Sequence, residues 1–328
     1  MPGMRRREFV SLFGGAAVAL PIAARAQQSA MPVIGFLGAG SYSEYAVRLG
    51  AFRRGLHAAG YAEGEVTIEY RWAETLVDRL PTLAADLVRR RVEVIATTGN
   101  APALAAKATT TTIPVVFSVS EDPVRLGLVA SLARPGGNVT GINYLVAEVT
   151  AKRLELLRAL VPGAVQIAVL VNPEAPVTET VLRELEGAAA TTGLRIRVLK
   201  ARSSGEINAA FATFVHDRPD ALFASGGFLF TNRRVQLVRL ATRHAVPTAY
   251  SDREYVEAGG LMSYGTNLTE SLQQVGRYTG RILKGARPAD LPVMQSTKLE
   301  LVINAETARM LGLTVPPSLL SRTNEVIE

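Results

Sequence analysis

The sequence predicts an α/β protein built as two Rossmann-like lobes with parallel sheets. Three observations predict it. Short apolar runs bounded by glycine or proline alternate with longer segments of helical periodicity, the pattern that sandwiches a parallel sheet between helices. The alternation restarts near residues 141–148. A chain of 328 residues also exceeds what one hydrophobic core usually serves.

The first run, Val33-Ile34-Gly35-Phe36-Leu37, sits between Pro32 and Gly38 and reads as a buried strand. Residues 45–59 carry Val47, Leu49, Phe52 and Leu56 at helical spacing and stop at Gly60. A strand over 66–70, a helix over 76–90 and a strand over 94–96 follow. Residues 101–109 form an alanine-rich helix with Pro102 in its first turn, where proline is tolerated. Strands over 114–117 and 139–142 complete the first half, the second entered from the turn Pro135-Gly136-Gly137-Asn138. The second half opens with a helix over 147–160 that ends at Pro162-Gly163. It continues with strands over 167–171, 194–199, 221–224 and 247–250, interleaved with helices over 177–191, 206–215 and 233–244. No low-complexity linker separates the halves, so the lobes should lie close on short hinges. Residues 261–328 add a strand, a helix over 268–283, a strand over 299–303 and a short helix. That tail is too small for a domain and is expected to weave back between the lobes.

The N-terminus predicts the compartment. Arg5-Arg6-Arg7-Glu8-Phe9-Val10 precedes a short run rich in glycine and alanine, and Ala24-Arg25-Ala26 supplies a small-x-small cleavage pattern. This is the form of a removable export signal of the twin-arginine type over 1–26, cleaved near Ala26. The run is shorter than the ~20 apolar residues of a membrane span. Cleavage would remove four arginines and one glutamate, lowering the net charge from +7 to +4. With no nucleic-acid signature and scattered cations, no nucleic-acid partner is expected. The chain has no cysteine. That excludes disulfides, thiolate metal sites and an acylated lipoprotein cysteine, leaving a free periplasmic protein, expected to be monomeric.

In parallel sheets ligands bind beyond the carboxyl ends of the strands. The loops there contain Gly38-Ala39-Gly40-Ser41-Tyr42, Thr98-Gly99-Asn100 and Ser118-Val119-Ser120-Glu121-Asp122 in the first half. The second half offers Asn172-Pro173-Glu174, Ser225-Gly226-Gly227-Phe228 and Ser251-Asp252-Arg253-Glu254-Tyr255. Glycines, small hydroxyls, amides and a few aromatics suit a small polar or aromatic solute held between two lobes. The candidate ligand contacts are Ser41, Tyr42, Asn100, Ser118, Glu121, Asp122, Asn172, Glu174, Ser225, Phe228, Asp252 and Tyr255. Several have plainer readings. Asp122-Pro123 fits a helix N-cap with proline at N1 equally well, Asp252 and Asn172 fit turns, and the aromatics fit a core. Gly38-Ala39-Gly40 lacks the third glycine of a dinucleotide fingerprint, since Ser43 stands there.

Catalytic and metal patterns are missing. His57, His216 and His244 are far apart and lack metal-ligand spacing. Ser225 lacks the glycine two residues upstream that a nucleophile elbow needs, and there is no P-loop lysine. No cofactor, metal or catalytic residue is therefore expected. A secreted hydrolase-type enzyme or a periplasmic sensory module are the alternatives to a binder.

Several short motifs occur in a specific order: Ala59-Gly60-Tyr61-Ala62-Glu63-Gly64, Ile113-Pro114-Val115-Val116-Phe117, Asp122-Pro123-Val124 and Pro135-Gly136-Gly137-Asn138-Val139-Thr140-Gly141. Leu283-Lys284-Gly285, Pro288-Ala289-Asp290-Leu291-Pro292, Leu301-Val302-Ile303-Asn304 and Leu311-Gly312-Leu313 follow. With these, essentially the whole chain after residue 26 resembles the substrate-binding proteins of ABC importers, a family that includes periplasmic tryptophan and tyrosine binders. The resemblance implies a type I periplasmic-binding fold with three hinge crossings, dividing the chain into lobe I (31–143 plus 265–290) and lobe II (144–264 plus 291–328). It implies a small-molecule ligand, hinge closure and an ABC permease in the inner membrane as partner. Asn100, Ser118, Asp122 and Asp252 stand where those binders present cleft residues. Pro173 and Glu174 stand where they show serines, and Gly227 where they show an acid. Those departures remove groups suited to an α-amino acid, so a small aromatic or largely apolar solute is expected.

Overall fold

The computed structural model describes residues 31–144, 149–175, 177–296 and 298–328. The expected export signal and part of the first changeover lie outside the described residues.

Lobe I begins with β1 (Val33–Gly38), α1 (Tyr42–Ala58), β2 (Thr67–Trp72), α2 (Leu80–Arg89), β3 (Val94–Thr98), α3 (Asn100–Thr109), β4 (Val115–Val119) and β5 (Val139–Tyr144). The chain then enters lobe II with α4 (Thr150–Leu160), β6 (Gln166–Val171), α5 (Thr178–Thr192), β7 (Arg195–Lys200) and α6 (Ser204–Ala212). Next come β8 (Ala221–Ala224), α7 (Phe228–Asn232), α8 (Arg234–Arg243), β9 (Thr248–Tyr250), α9 (Arg253–Glu257) and β10 (Met262–Thr266). It returns to lobe I with α10 (Leu268–Leu283) and β11 (Met294–Ser296), and crosses again for β12 (Leu299–Asn304), α11 (Ala305–Met310), α12 (Pro317–Leu320) and β13 (Glu325–Ile327).

One sheet has the order β11-β5-β4-β3-β1-β2 and the other β13-β12-β10-β9-β8-β6-β7. All described pairings are parallel except β10 with β12. Such sheets are covered on both faces, and each lobe accordingly has two apolar clusters. In lobe I, Leu37, Ile95 and Phe117 pack toward α2 and α3, while Ile34, Phe36 and Val116 pack toward α1 and α10. In lobe II, Ile167, Val169 and Phe223 form one cluster and Leu170, Leu222 and Tyr250 the other.

The return to lobe I is a packed helix pair. A Cβ on Gly55 of α1 would lie 2.0 Å from the Gln273 carbonyl oxygen, and one on Gly276 of α10 would lie 2.1 Å from that of Phe52. Only glycine permits backbones this close. β11 then pairs with β5 through Met294–Ile142, Gln295–Asn143 and Ser296–Tyr144. The chain therefore stays in the first sheet through Ser296, six residues past the expected crossing at 290/291. The reason is that β11 is a three-residue, mostly exposed edge strand without alternation, invisible to periodicity. β13 escapes for the same reason. It is held by Arg253, whose guanidinium pairs with Glu325 at 2.8 Å, Glu257 at 2.7 Å and Glu300 at 3.5 Å.

Candidate functional site

The carboxyl ends of both sheets face one another, and two contacts join the lobes there. Arg48 on α1 donates its Nε–H to the Glu254 carboxylate on α9 at 2.6 Å. A Cβ on Gly40, after β1, would come within 3.3 Å of the Phe228 ring, at the start of α7. Gly227, just before it, has φ +132° and ψ 160°, a region open essentially to glycine alone. The loop before Phe228 thus takes a path that disfavours any side chain at position 227.

On the lobe I side Asn100 organises the cleft wall. Its Nδ2 donates to Glu121 Oε1 at 3.0 Å, and its Oδ1 accepts from the Ser120 N–H at 3.1 Å. Asn143 donates to the carbonyls of Val119 and Glu121 at 3.2 and 2.8 Å. Burial raises the Glu121 carboxyl, and the nearby Arg125 cation offsets part of this. Ser118, at the end of β4, is fully buried, and its Oγ has no partner. Burial pushes the Tyr144 hydroxyl up to about 12.

On the lobe II side Asp252 is buried at the N-terminus of α9. Its Oδ2 accepts from Ser251 Oγ at 2.9 Å, and its Oδ1 has no partner. Burial raises this carboxyl, partly offset by the Arg48 cation. Ser225 is buried and donates its N–H to the Leu170 carbonyl at 3.0 Å. Arg153, in the first turn of α4, is fully buried with its guanidinium 4.4 Å from the Phe223 ring centroid. Its Nη1 donates to the Ala224 carbonyl at 3.4 Å, whereas Nε and Nη2 have no partner.

The structure thus brings Asn100, Ser118 and Glu121 to one wall and Ser225, Phe228 and Asp252 to the other. The other six expected contacts have different surroundings. Tyr42 is half exposed, accepts from Arg53 and meets Tyr70 edge-on at 5.4 Å, on the β2 side of lobe I. Asp122 is exposed, and its Oδ1 accepts from the Val124 N–H at 2.8 Å, the plain turn alternative. Glu174 is exposed and pairs with Arg202 at 3.4 Å. Tyr255 is fully buried against Tyr250, rings stacked at 4.6 Å, and belongs to the lobe II core. Ser41 is the N-cap of α1 and takes the Glu44 carboxylate on its own N–H at 2.9 Å. Asn172 makes a local turn by accepting from the Glu174 N–H at 3.0 Å.

The two buried arginines were missed. A signal existed: Arg48 stands three residues after Tyr45 and four before Phe52, on the buried face of α1. Arg153 sits beside Leu154 and four residues before Leu157, on the buried face of α4. Arginine on an apolar stripe is rarely buried unless it is paired or employed.

A family model described as "ABC transporter substrate binding protein" matches residues 41–327. A tyrosine-binding protein of Clostridioides difficile (strain R20291) is 26% identical over 264 residues, covering 80% of this chain and 75% of that protein. Among solved structures, an ABC domain from Streptococcus pneumonia in complex with L-Trp superposes with a TM-score of 0.81 at 26% identity, covering 90% of this chain and 99% of that one. A conserved domain protein from Vibrio cholerae gives a TM-score of 0.82 with the same identity and coverage. Two lobes with parallel sheets, polar groups converging at the carboxyl ends and a match along nearly the whole described chain lead to one conclusion: this protein belongs to the family of ABC transporter substrate-binding proteins, with a type I periplasmic-binding fold.

Proposed function

We propose that this protein captures a small, largely apolar or aromatic solute between its lobes outside the cytoplasm and hands it to an ABC permease. The observation that carries the reading is the set of buried polar atoms without partners at the facing sheet ends: Ser118 Oγ from one lobe, Asp252 Oδ1 and the Arg153 guanidinium from the other. A buried polar atom left unpaired costs about 1–3 kcal/mol, so such a set from two lobes is a site built for a guest. Phe228 supplies an apolar face toward the other lobe, and the Phe223 ring backs the Arg153 guanidinium from the core. Closure follows from differential affinity: a solute touching both walls stabilises the closed form over the open one.

The twin-arginine segment supports export of the chain to the periplasm, and the lack of cysteine supports a form without an acylated cysteine anchor. Among the described residues no helix is long and apolar enough to cross a membrane. The test is native mass spectrometry of freshly purified protein, followed by calorimetry with the solute that comes off. A bound solute released by Ser118→Ala or Phe228→Ala, with scattering that shows compaction on rebinding, supports the reading. A solute indifferent to both substitutions would falsify it.

A further inference from the structure

We infer that Arg153 is the receptor for a carboxylate group on the captured solute. The inference rests on the cleft reading above and adds the head group of the guest. Two arginines are buried at the cleft, and they differ in one respect. Arg48 is neutralised by Glu254 at 2.6 Å. Arg153 has no carboxylate at ion-pair distance among the described residues; Asp252 and Tyr255 act on it only through space. Burying an unpaired cation is expensive, several kcal/mol after relaxation. Packing on Phe223 and one long bond to the Ala224 carbonyl offset only part of that.

The pattern of free donors is specific. Nη1 is engaged with the backbone, and the unpartnered groups are Nε and Nη2. Those two N–H groups lie along one edge of the guanidinium and point the same way, the spacing that meets both oxygens of a carboxylate in parallel bonds. A lone hydroxyl or carbonyl would satisfy only one of them. Burial lowers the Arg153 guanidinium to about 10, still charged at neutral pH. Asp252 is a poor internal substitute: it stands beyond ion-pair distance, and burial favours its protonated form. A single uncompensated cation set over a phenyl ring fits one negative charge on an apolar body, so the guest is a small apolar or aromatic monocarboxylic acid.

The experiment is calorimetry and thermal melting with benzoate and phenylacetate, their primary amides, and phenyl phosphate. Wild type is compared with Arg153→Met and Arg153→Lys. The expected result is that at least one acid binds wild type roughly tenfold or more tighter than its amide. Arg153→Met should abolish that preference while melting, unligated, at or above wild type. Arg153→Lys, which keeps the charge and loses the fork, should fall between. Equal binding of acid and amide, no response to any carboxylate, tighter binding of phenyl phosphate, or a much lower melting point for unligated Arg153→Met each overturns the proposal. The cleft reading fails separately: a neutral co-purified solute released by Phe228→Ala sinks the carboxylate and keeps the cleft. A solute retained in both Phe228→Ala and Arg153→Met sinks the cleft itself.

Discussion

Tyr255 and Phe228 stand 27 positions apart in the sequence, both in short helices just beyond the ends of lobe II strands, yet their surroundings give them opposite roles. Tyr255 is fully buried on Tyr250, whereas Phe228 is only partly covered and faces Gly40 of the other lobe. Tyr255→Ala should cost about 3–5 kcal/mol in denaturant unfolding, as for other large aromatic truncations in a core. Phe228→Ala should leave the midpoint near wild type and weaken solute binding. Equal losses of stability in both would return Phe228 to the core. Asp252 carries a pH signature. Its folded carboxyl is raised above the ordinary 3.8 by burial, so the native state holds the proton more tightly than the unfolded chain. That stabilisation is complete below about pH 3.8 and is lost as pH rises through the raised folded value. Asp252→Asn should therefore gain stability over wild type progressively as pH rises from about 3.8 through the raised folded value. A gain that is flat with pH would mean that Asp252 is already charged in the folded state at no cost.

The elements show why glycine has no single meaning in a helix. Gly276 sits where α10 touches the backbone of α1, and a Cβ there would overlap the Phe52 carbonyl. Gly276→Ala should cost at least about 1–3 kcal/mol, because packed backbones do not give way as side-chain ends do. Gly187, exposed on α5, has nothing within 4 Å of its would-be Cβ. Gly187→Ala should stabilise by about 0.5–1 kcal/mol through helix propensity and a less entropic unfolded chain. Denaturant midpoints of the pair check both signs at once. The long elements were legible because each carries several apolar residues at one period, as α1 does with Leu49, Phe52 and Leu56. The five-residue helices α7 and α9 and the three-residue strands β11 and β13 are shorter than any period needs to declare itself. Of the site, the loops could be found from strand ends alone. Arg48 and Arg153 show in the sequence only as arginines on apolar stripes, because their roles depend on neighbours from other elements: Glu254 for one, Phe223 and Ala224 for the other.

At the scale of the whole molecule the Arg48–Glu254 pair is the main polar contact described between the lobes. Both side chains are largely buried in it, and separating the lobes would hydrate both. Glu254→Gln keeps the shape and leaves the Arg48 cation without its anion in the closed form only. The unliganded variant should therefore shift toward the open form, seen as a larger radius of gyration in small-angle scattering. Solute affinity should fall roughly tenfold, about 1.4 kcal/mol of closure energy. An unchanged radius with unchanged affinity would show that the pair is indifferent to closure.

The return of α10 and β11 to lobe I has a consequence for how the protein is made. The apolar face of α1 that carries Phe52 and Leu56 is covered by Leu272 and Val275, residues the ribosome reaches only after more than 200 further peptide bonds. At typical synthesis rates of about 5–20 residues per second that is roughly 10–40 seconds. Throughout that interval the first lobe lacks both its covering helix and one edge of its sheet, and it presents apolar surface to whatever chaperone is at hand. Neither lobe can finish as a unit while the chain is growing, so folding is concluded on the nearly complete polypeptide.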